Sequence, residues 1–331
     1  MSAIDLSIGS RVGVVVIGRN EGERLRACLE SVIGRAVAVV YVDSGSNDGS
    51  VELARSLGVM PVELDMRVPF TAARARNEGF RRLIELDDSL MYVQFVDGDC
   101  EVVEDWLARS VEFLDANSKV AAVCGRRRER FPQASIYNRL CDIEWDTPVG
   151  ETKACGGDAM MRVDVLRAVG GYRADLIAGE EPELCVRLRA TGWHIWRLDA
   201  EMTLHDAALT RFGQWWKRAL RGGHAFAEGA SLHGVPPERH YVRESRRAWI
   251  WGIALPLFIF GASLFDPLAA GLVLIYPLQV LRIALRSDLT SKANWWRSLF
   301  LVLARFPEGL GQVKFLLARW RGKRSALIEY K

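Results

Sequence analysis

Short apolar runs alternate with segments of helical apolar spacing through the first two thirds of the chain. Residues 11–18 form a valine-rich run closed by glycine, which predicts a buried strand. Over 23–33, Leu25, Cys28, Leu29 and Val32 recur at helical spacing, so a helix follows. The run 37–42 predicts a second strand. It ends in the polar loop Asp43-Ser44-Gly45-Ser46-Asn47-Asp48-Gly49-Ser50, which launches a helix over 51–57 that Gly58 stops. A strand over 59–64, a helix over 70–86 and a strand over 91–96 continue the series. Further on, a helix over 162–169 and a strand over 193–198 stand out. Strand–helix alternation of this kind predicts an α/β fold, a mostly parallel sheet with helices on both faces.

The last third reads differently. Residues 248–265 and 268–285 are almost wholly apolar, divided by Asp266-Pro267, and each approaches the roughly 20 residues that a bilayer requires. A buried core hairpin is the alternative reading. Arg243, Arg246 and Arg247 precede the first run, while Arg282, Arg286, Lys292 and Arg297 sit at or after the end of the second. The positive-inside bias then predicts a transmembrane hairpin with both ends cytoplasmic, in the cell inner or plasma membrane. Residues 298–320 are apolar but interrupted by Arg305, Pro307, Glu308 and Lys314, which fits an interfacial or re-entrant helix. The basic tail Arg319, Arg321, Lys323 and Arg324 suits anionic lipid headgroups. The expected division is a catalytic part at 10–230 and a membrane-associated helical part at 231–331.

Composition narrows the classes. The chain has 331 residues, 50% hydrophobic and 26% charged, which excludes a disordered whole. A formal net charge of +3 is too small to argue for nucleic acid as a partner. Six cysteines occur without any CxxC pair, so neither a zinc site nor a disulfide framework is expected, and reduced thiols in a cytosolic compartment are. The apolar run 12–17 is too short, and lacks the cleavage pattern, for a signal peptide.

The candidate chemistry centres on Tyr92-Val93-Gln94-Phe95-Val96-Asp97-Gly98-Asp99-Cys100-Glu101. A short apolar strand delivers two carboxylates, and the glycine between them lets the backbone approach a ligand closely. Hard divalent cations take oxygen ligands, and Mg²⁺ is usually held by one or two carboxylates plus substrate phosphates. By itself the triplet also reads as a polar turn. Asn20-Glu21 and Asp43, however, also fall at carboxyl ends of expected strands, where open α/β sheets bind ligands. Three loops thus converge on one crevice.

Further stretches complete a pattern: Val14-Val15-Val16-Ile17-Gly18-Arg19-Asn20-Glu21, Val42 to Ser50, Ala75-Arg76-Asn77-Glu78-Gly79, Asp97-Gly98-Asp99, Gly156-Gly157-Asp158-Ala159-Met160, and Gly179-Glu180-Glu181-Pro182 onward to Leu188. In this order they resemble family 2 glycosyltransferases of the GT-A fold, over roughly residues 10 to 230. The resemblance implies a Rossmann-like GT-A sheet followed by the C-terminal helical membrane hairpin. It also implies inverting, metal-dependent transfer of a sugar from a nucleotide-diphosphate donor, UDP-linked by preference, to a hydroxyl acceptor. The anchor adds a saccharide or lipid-linked acceptor, or a growing cell-surface polysaccharide.

Residue by residue, the resemblance implies donor binding by Asn20, Glu21, Asp43, Arg74, Asn77, Asp97 and Asp158. Asp43 could instead serve a turn or helix cap, Asp158 a helix cap, and Arg74 a solvated face. Arg76 lies beside Arg74 and Asn77, within reach of a diphosphate or its metal. Asp99 and Asp97 resemble the DxD pair that holds Mg²⁺ or Mn²⁺, and His205 could complete the metal shell, imidazole being suited to Mn²⁺. Glu180-Glu181 stands where relatives carry Glu-Asp. The second acid, Glu181, is the expected general base, with Glu180 the other candidate. Both acids would also complement a helix N-terminus. Gln214-Trp215-Trp216-Lys217-Arg218 does not keep the order of a processive synthase motif, so processivity is not inferred. Two other classes compete. A nucleotidyltransferase would need a glycine- and lysine-rich triphosphate loop, which is not found. A non-catalytic membrane scaffold with a nucleotide-binding GT-A domain would survive loss of Asp99 and Glu181.

Overall fold

The computed structural model describes residues 11–322, so Lys323 and Arg324 lie outside the described residues. Contacts divide the chain into two compact units. One takes in the chain up to Phe131 together with Cys141–Ala207, and the other Pro132–Leu140 with the chain from Ala208 onward.

In the first unit, β1 (Val12–Gly18) leads to α1 (Glu23–Glu30), then β2 (Ala38–Asp43), α2 (Ser50–Ser56), β3 (Met60–Glu63), α3 (Ala72–Leu86) and β4 (Tyr92–Asp97). The valines of β1 are fully buried, as a central strand covered on both faces requires. Gln94, the one polar residue of β4, is also fully buried. It is satisfied because its carbonyl accepts from Trp106 Nε1 at 2.8 Å and its amide donates to the Phe95 carbonyl at 2.7 Å. The unit continues with β5 (Cys100–Val102), α4 (Trp106–Ala116), β6 (Val120–Glu129), α5 (Ile136–Glu144, whose start belongs to the second unit), β7 (Gly150–Thr152), β8 (Ala159–Arg162), α6 (Val163–Ala168), α7 (Glu180–Ala190) and β9 (His194–His205).

Among the described residues, nine strands form one sheet in the order β3-β2-β1-β4-β8-β6-β9-β5, with β7 on β9. The first four strands are parallel, as the alternation predicts. The other half is mixed, because β8 enters antiparallel between β4 and β6 while β6 and β9 run parallel. This insertion carries Asp158, at the start of β8, to the end of β4. Asp158 therefore opens a strand and not a helix, and the helix expected at 162–169 is the shorter α6. The strand expected at 193–198 runs on to His205, and this extension brings His205 beside Cys100 through the β5–β9 pairing. All six cysteines are buried.

The second unit is helical. It holds α8 (Phe212–His233), α9 (Val242–Trp249), a π-helical turn (Ile250–Ala254), α10 (Leu255–Phe265), a 3₁₀ segment (Pro267–Leu274), α11 (Ile275–Ala284), α12 (Lys292–Leu303) and α13 (Arg305–Trp320). Two stretches, Val242–Phe265 and Pro267–Ala284, are long and apolar enough to cross a membrane, with mean hydropathies of 1.9 and 1.6 over their most apolar windows. Only 11% and 6% of those windows are buried, so a core hairpin is not what they form. The single helix expected over 298–320 is instead two helices that break at Ala304. Pro307 sits in the first turn of α13, where a missing N–H is tolerated.

α8 and α13 cross at small residues. A Cβ on Gly223 would lie 2.0 Å from the Glu308 carbonyl oxygen, and one on Gly311 2.1 Å from that of Leu220. Neighbouring Gly222 meets nothing within 4 Å. Gly223→Ala therefore forces two backbones apart and should lower stability by about 1–3 kcal/mol. Gly222→Ala should be neutral or stabilising by up to about 1 kcal/mol through helix propensity. Thermal unfolding of the two variants in one detergent checks the contrast; equal midpoints would contradict the close crossing.

Candidate active site

The loops after β1 and β2 are tied together. Asn20 takes the left-handed conformation (φ 56°), its side-chain carbonyl accepts from Asn47 N at 2.8 Å, and its own N–H donates to Ser46 Oγ at 2.9 Å. Asp48 adds a third link, accepting from Gly22 N at 2.9 Å while its other oxygen takes the Ser50 N–H and hydroxyl. Asp43, buried at the end of β2, accepts from Tyr41 Oη at 2.8 Å and from Gly45 N and Ser46 N. It builds the turn at the base of this loop. Glu21 pairs with Arg24 at 2.8 Å and lies over Gly98, whose N–H donates to the Ile17 carbonyl at 2.7 Å and where a Cβ would fit only tightly, 3.1 Å from that oxygen.

Arg74 and Asn77, both on α3, do not meet this crevice group. Arg74 donates to the carbonyls of Val68 and Asp65 at 2.8 and 3.0 Å. Asn77 is clamped to the backbone of Tyr172 through both its amide groups, at 2.7 and 2.8 Å. The intervening Arg76 points inward, 2% exposed, and it is the hub. Its Nη2 donates to Asp97 Oδ1 at 2.9 Å, and its Nη1 lies 2.9 Å from Glu180 Oε1 and 3.1 Å from Glu181 Oε1. Its guanidinium also faces the Tyr172 ring at 5.5 Å. Gly157 makes room for this contact, because a Cβ there would fall 2.5 Å from Arg76 Nη2 and 2.8 Å from Asp97 Oδ2.

A second buried arginine, Arg127 on β6, closes the other side. Its Nη2 lies 2.8 Å from Asp158 Oδ2 and 3.5 Å from Asp97 Oδ2, and its guanidinium stands over Trp145 at 5.6 Å. Asp158 is fully buried. Its oxygens accept from the Asp97 backbone N–H at 3.0 Å and Thr203 Oγ1 at 2.8 Å, so it holds Asp97 in place and presents no free edge to a sugar hydroxyl. Neither Arg127, Trp145 nor Thr203 figures in the sequence reading. The arginine run 126–128, beginning just after Gly125, was the available signal.

Asp99 and His205 meet as expected, with Asp99 Oδ2 3.2 Å from His205 Nε2. Trp145 packs edge-on against the imidazole at 4.7 Å. Burial, reinforced by the Arg127 charge, pulls the histidine down to about 4 and keeps it neutral. Its Nδ1 lies 4.0 Å from Glu129 Oε2. Asp99, Cys100 and His205 bring ligand atoms within 4.8 Å of one another, as do Asp97, Cys100 and Asp158. A neutral imidazole beside a carboxylate is a donor set that fits a divalent cation of the Mn²⁺ type.

Glu181 sits at the start of α7 with its side chain 17% exposed, against 4% for Glu180. Burial, with the neighbouring Glu180 charge adding to it and Arg76 opposing it, pushes the Glu181 carboxyl up to about 7. Desolvation opposes the charge on Arg76 and Arg127, but the surrounding carboxylates win and hold both guanidiniums protonated.

A mixed GT-A-like sheet, a paired-aspartate turn at the end of its central strand and an acid pair at a facing helix define a glycosyltransferase. Residues 13–169 match the model described as Glycosyl transferase family 2. It is 25% identical over 225 residues to glycosyltransferase AglE of Haloferax volcanii, covering 64% of this chain and 71% of that protein. It is 28% identical over 215 residues to the succinoglycan biosynthesis protein ExoA of Rhizobium meliloti, covering 60% of this chain and 64% of that one. Among solved structures, the mannosyltransferase PcManGT of Pyrobaculum calidifontis, in complex with GDP-Man and Mn²⁺, superposes with a TM-score of 0.62. The superposition spans 92% of this chain and 87% of that one at 21% identity. Glucosyl-3-phosphoglycerate synthase of Mycobacterium tuberculosis, bound to Mn²⁺, UDP and phosphoglyceric acid, superposes at 0.50, over 70% of this chain and 82% of that one, at 16% identity.

Removing Arg76 leaves Asp97, Glu180 and Glu181 facing one another in a buried space. Arg76→Met should lower stability by about 3–5 kcal/mol, and Arg76→Lys should restore only part, since an ammonium cannot reproduce the fork. Chemical denaturation read by tryptophan fluorescence checks this; an unchanged midpoint for Arg76→Met would show that the cluster holds nothing together.

Proposed function

We propose that the chain transfers a sugar from a nucleotide-diphosphate donor to a hydroxyl of a membrane-borne saccharide or lipid-linked acceptor, with inversion, using Mn²⁺ or Mg²⁺. The observation that carries the reading is the charge balance of the crevice. Asp97, Asp158, Glu180 and Glu181 face two guanidiniums, Arg76 and Arg127, both bound to these carboxylates, while Asp99 lies against the neutral His205. These two guanidiniums are already paired, so a diphosphate is expected to enter with a metal. Asp99 and His205 would hold that ion, with Asp97 close by. A bound divalent cation neutralises the charge that develops on the departing nucleotide diphosphate.

The chain's own residues do the rest. Asn20, Glu21 and Asp43 set the two cross-tied loops on which the nucleoside would rest, at the carboxyl ends of β1 and β2. Arg76 fixes Asp97 and the acid pair in one rigid arrangement, so no reorganisation is needed as the bond breaks. Glu181 faces the crevice more than Glu180 does and would accept the acceptor hydroxyl's proton as that oxygen attacks the anomeric carbon. The apolar runs, with Leu257, Phe260, Leu264 and Leu268 each more than 60% exposed, support insertion into a bilayer. The flanking arginines support a cytoplasmic catalytic part in the cell inner or plasma membrane, which delivers the crevice to a lipid-linked acceptor.

Screening GDP-, UDP- and dTDP-sugars with the detergent-solubilised protein tests the reading. Turnover of one donor should stop with EDTA and in Asp99→Ala. In the presence of nucleoside diphosphate, Asp99→Ala and His205→Ala should weaken Mn²⁺ binding by about 10–100-fold, read by electron paramagnetic resonance. Full turnover in EDTA would remove the metal from the proposal.

The pH profile follows from Glu181. A base works only when ionised, and this carboxyl is raised to about 7. Turnover should therefore fall as pH drops through about 7, approaching tenfold per unit below it. Glu181→Gln should lose about 10²–10⁴-fold in turnover at unchanged donor affinity and abolish that acidic limb. A profile flat from pH 5 to 8 would reassign the base.

A further inference from the structure

The strand that sends Arg127 into the catalytic crevice sends its two neighbours to the other side. Arg126 and Arg128 line a separate cavity of about 380 Å³ together with Arg109, Arg197, Asp146 and Glu201. Four guanidiniums in one cleft repel unless anions separate them. Two are settled: Arg128 forms a bidentate pair with Glu201 at 2.7 and 2.7 Å, and Arg109 donates to the Asp199 carbonyl at 3.3 Å.

The other two are the most buried, and of these Arg197 is the less well served. Arg126 is 7% exposed and Arg197 4%. Arg126 Nη2 bonds Asp142, at 3.1 Å to its carboxylate and 3.0 Å to its carbonyl, and its Nη1 donates to the Arg127 carbonyl, so that only Nε turns to the cavity's other anion. For the rest of their charge the pair share one carboxylate. Asp146 Oδ1 lies 3.4 Å from Arg126 Nε and 3.5 Å from Arg197 Nη2, both long for a charge-assisted contact. The Asp146 side chain is 65% exposed, so water competes for it. Arg197 Nε is buried with no hydrogen-bond partner. A buried guanidinium with an unused donor costs free energy that a better-placed anion recovers.

We infer that this cavity is a binding site for a phosphate or diphosphate group, which takes the place of Asp146 between Arg126 and Arg197. Phosphate oxygens can accept from Arg126 Nε and from Arg197 Nη2 and its unused Nε together, which one monodentate aspartate oxygen does not. The cavity exceeds the volume of the anion alone, so the group belongs to a larger molecule, a soluble phosphoester or a lipid with a phosphate headgroup. Asp146 leaves on an exposed loop, so its departure requires no change in the core.

Calorimetry on the full chain in detergent, with EDTA present, tests the inference. Without a divalent cation the acid-rich crevice repels anions, so heat from added pyrophosphate reports on the arginine cavity alone. Saturable binding at one site per chain is expected. Arg197→Ala should weaken it at least tenfold, whereas Asp146→Asn, an exposed change that leaves the fold intact, should tighten it severalfold. Asp99→Ala should leave it unchanged. Inorganic phosphate and dihexanoyl phosphatidate then separate the sources. Binding of phosphatidate but not of phosphate assigns a lipid headgroup, and binding of both assigns a free phosphoester. No binding of any probe, or binding indifferent to both Arg197→Ala and Asp146→Asn, would overturn the inference.

Discussion

Burying Arg76 is the constraint on which the catalytic unit depends. One guanidinium, 2% exposed, joins residues from four separate stretches: its own helix α3, Asp97 at the end of β4, the acid pair opening α7, and Tyr172 before that helix. An arginine can occupy such a place only if its desolvation is offset by several anions in good geometry. Those anions in turn can be crowded together only because the arginine is there. Asp97, Glu180 and Glu181 are therefore not hung on flexible loops; each is fixed by the charge of Arg76. Arg127 repeats the device on the other side of Asp97, through Asp158.

This arrangement explains the sheet. Asp97 gains its second support because β8 enters antiparallel beside β4, placing Asp158 under the Asp97 backbone N–H at 3.0 Å. His205 reaches Asp99 because β9 runs twelve residues and pairs with the short β5 that follows the paired aspartates. The parallel half of the sheet positions a ligand pocket in the usual way. The mixed half adds Asp158, Arg127 and His205 around it.

Much of this was legible in the sequence, and the failures have a common cause. The parallel strands were readable because burial on both faces leaves valine-rich apolar runs such as 12–17, and the carboxyl-end loops followed from them. Asp97, Asp99, Glu180, Glu181 and His205 do converge. What could not be read was pairing across long sequence separations. Nothing local in Ala159-Met160-Met161-Arg162 says that it runs antiparallel between two parallel partners. Arg76 and Arg74 look alike on a helix, and only the tertiary fold shows one buried in acids and the other holding the carbonyls of Asp65 and Val68. Asn77 and Asp158, polar residues beside glycines, resembled ligand groups but spend their hydrogen bonds on Tyr172 and Asp97. Arg127 and Trp145 stayed invisible because their role is to neutralise and to pack, and neither leaves a motif.

The same cluster bears on why two glutamates can stand where an acid pair of unequal length is expected. Both reach Arg76 Nη1, at 2.9 and 3.1 Å, so they compete for one positive charge. Glu180 is the more deeply buried and takes the hydrogen bond, whereas Glu181 is left partly exposed and shifted upward by burial and by its neighbour's charge. A shared cation thus separates two chemically identical side chains into a buried ion-pair partner and a partly exposed carboxyl of raised pKa. The extra methylene of Glu181 does not defeat this, because the position of its carboxylate is set by the arginine it touches and not by the length of the arm that carries it.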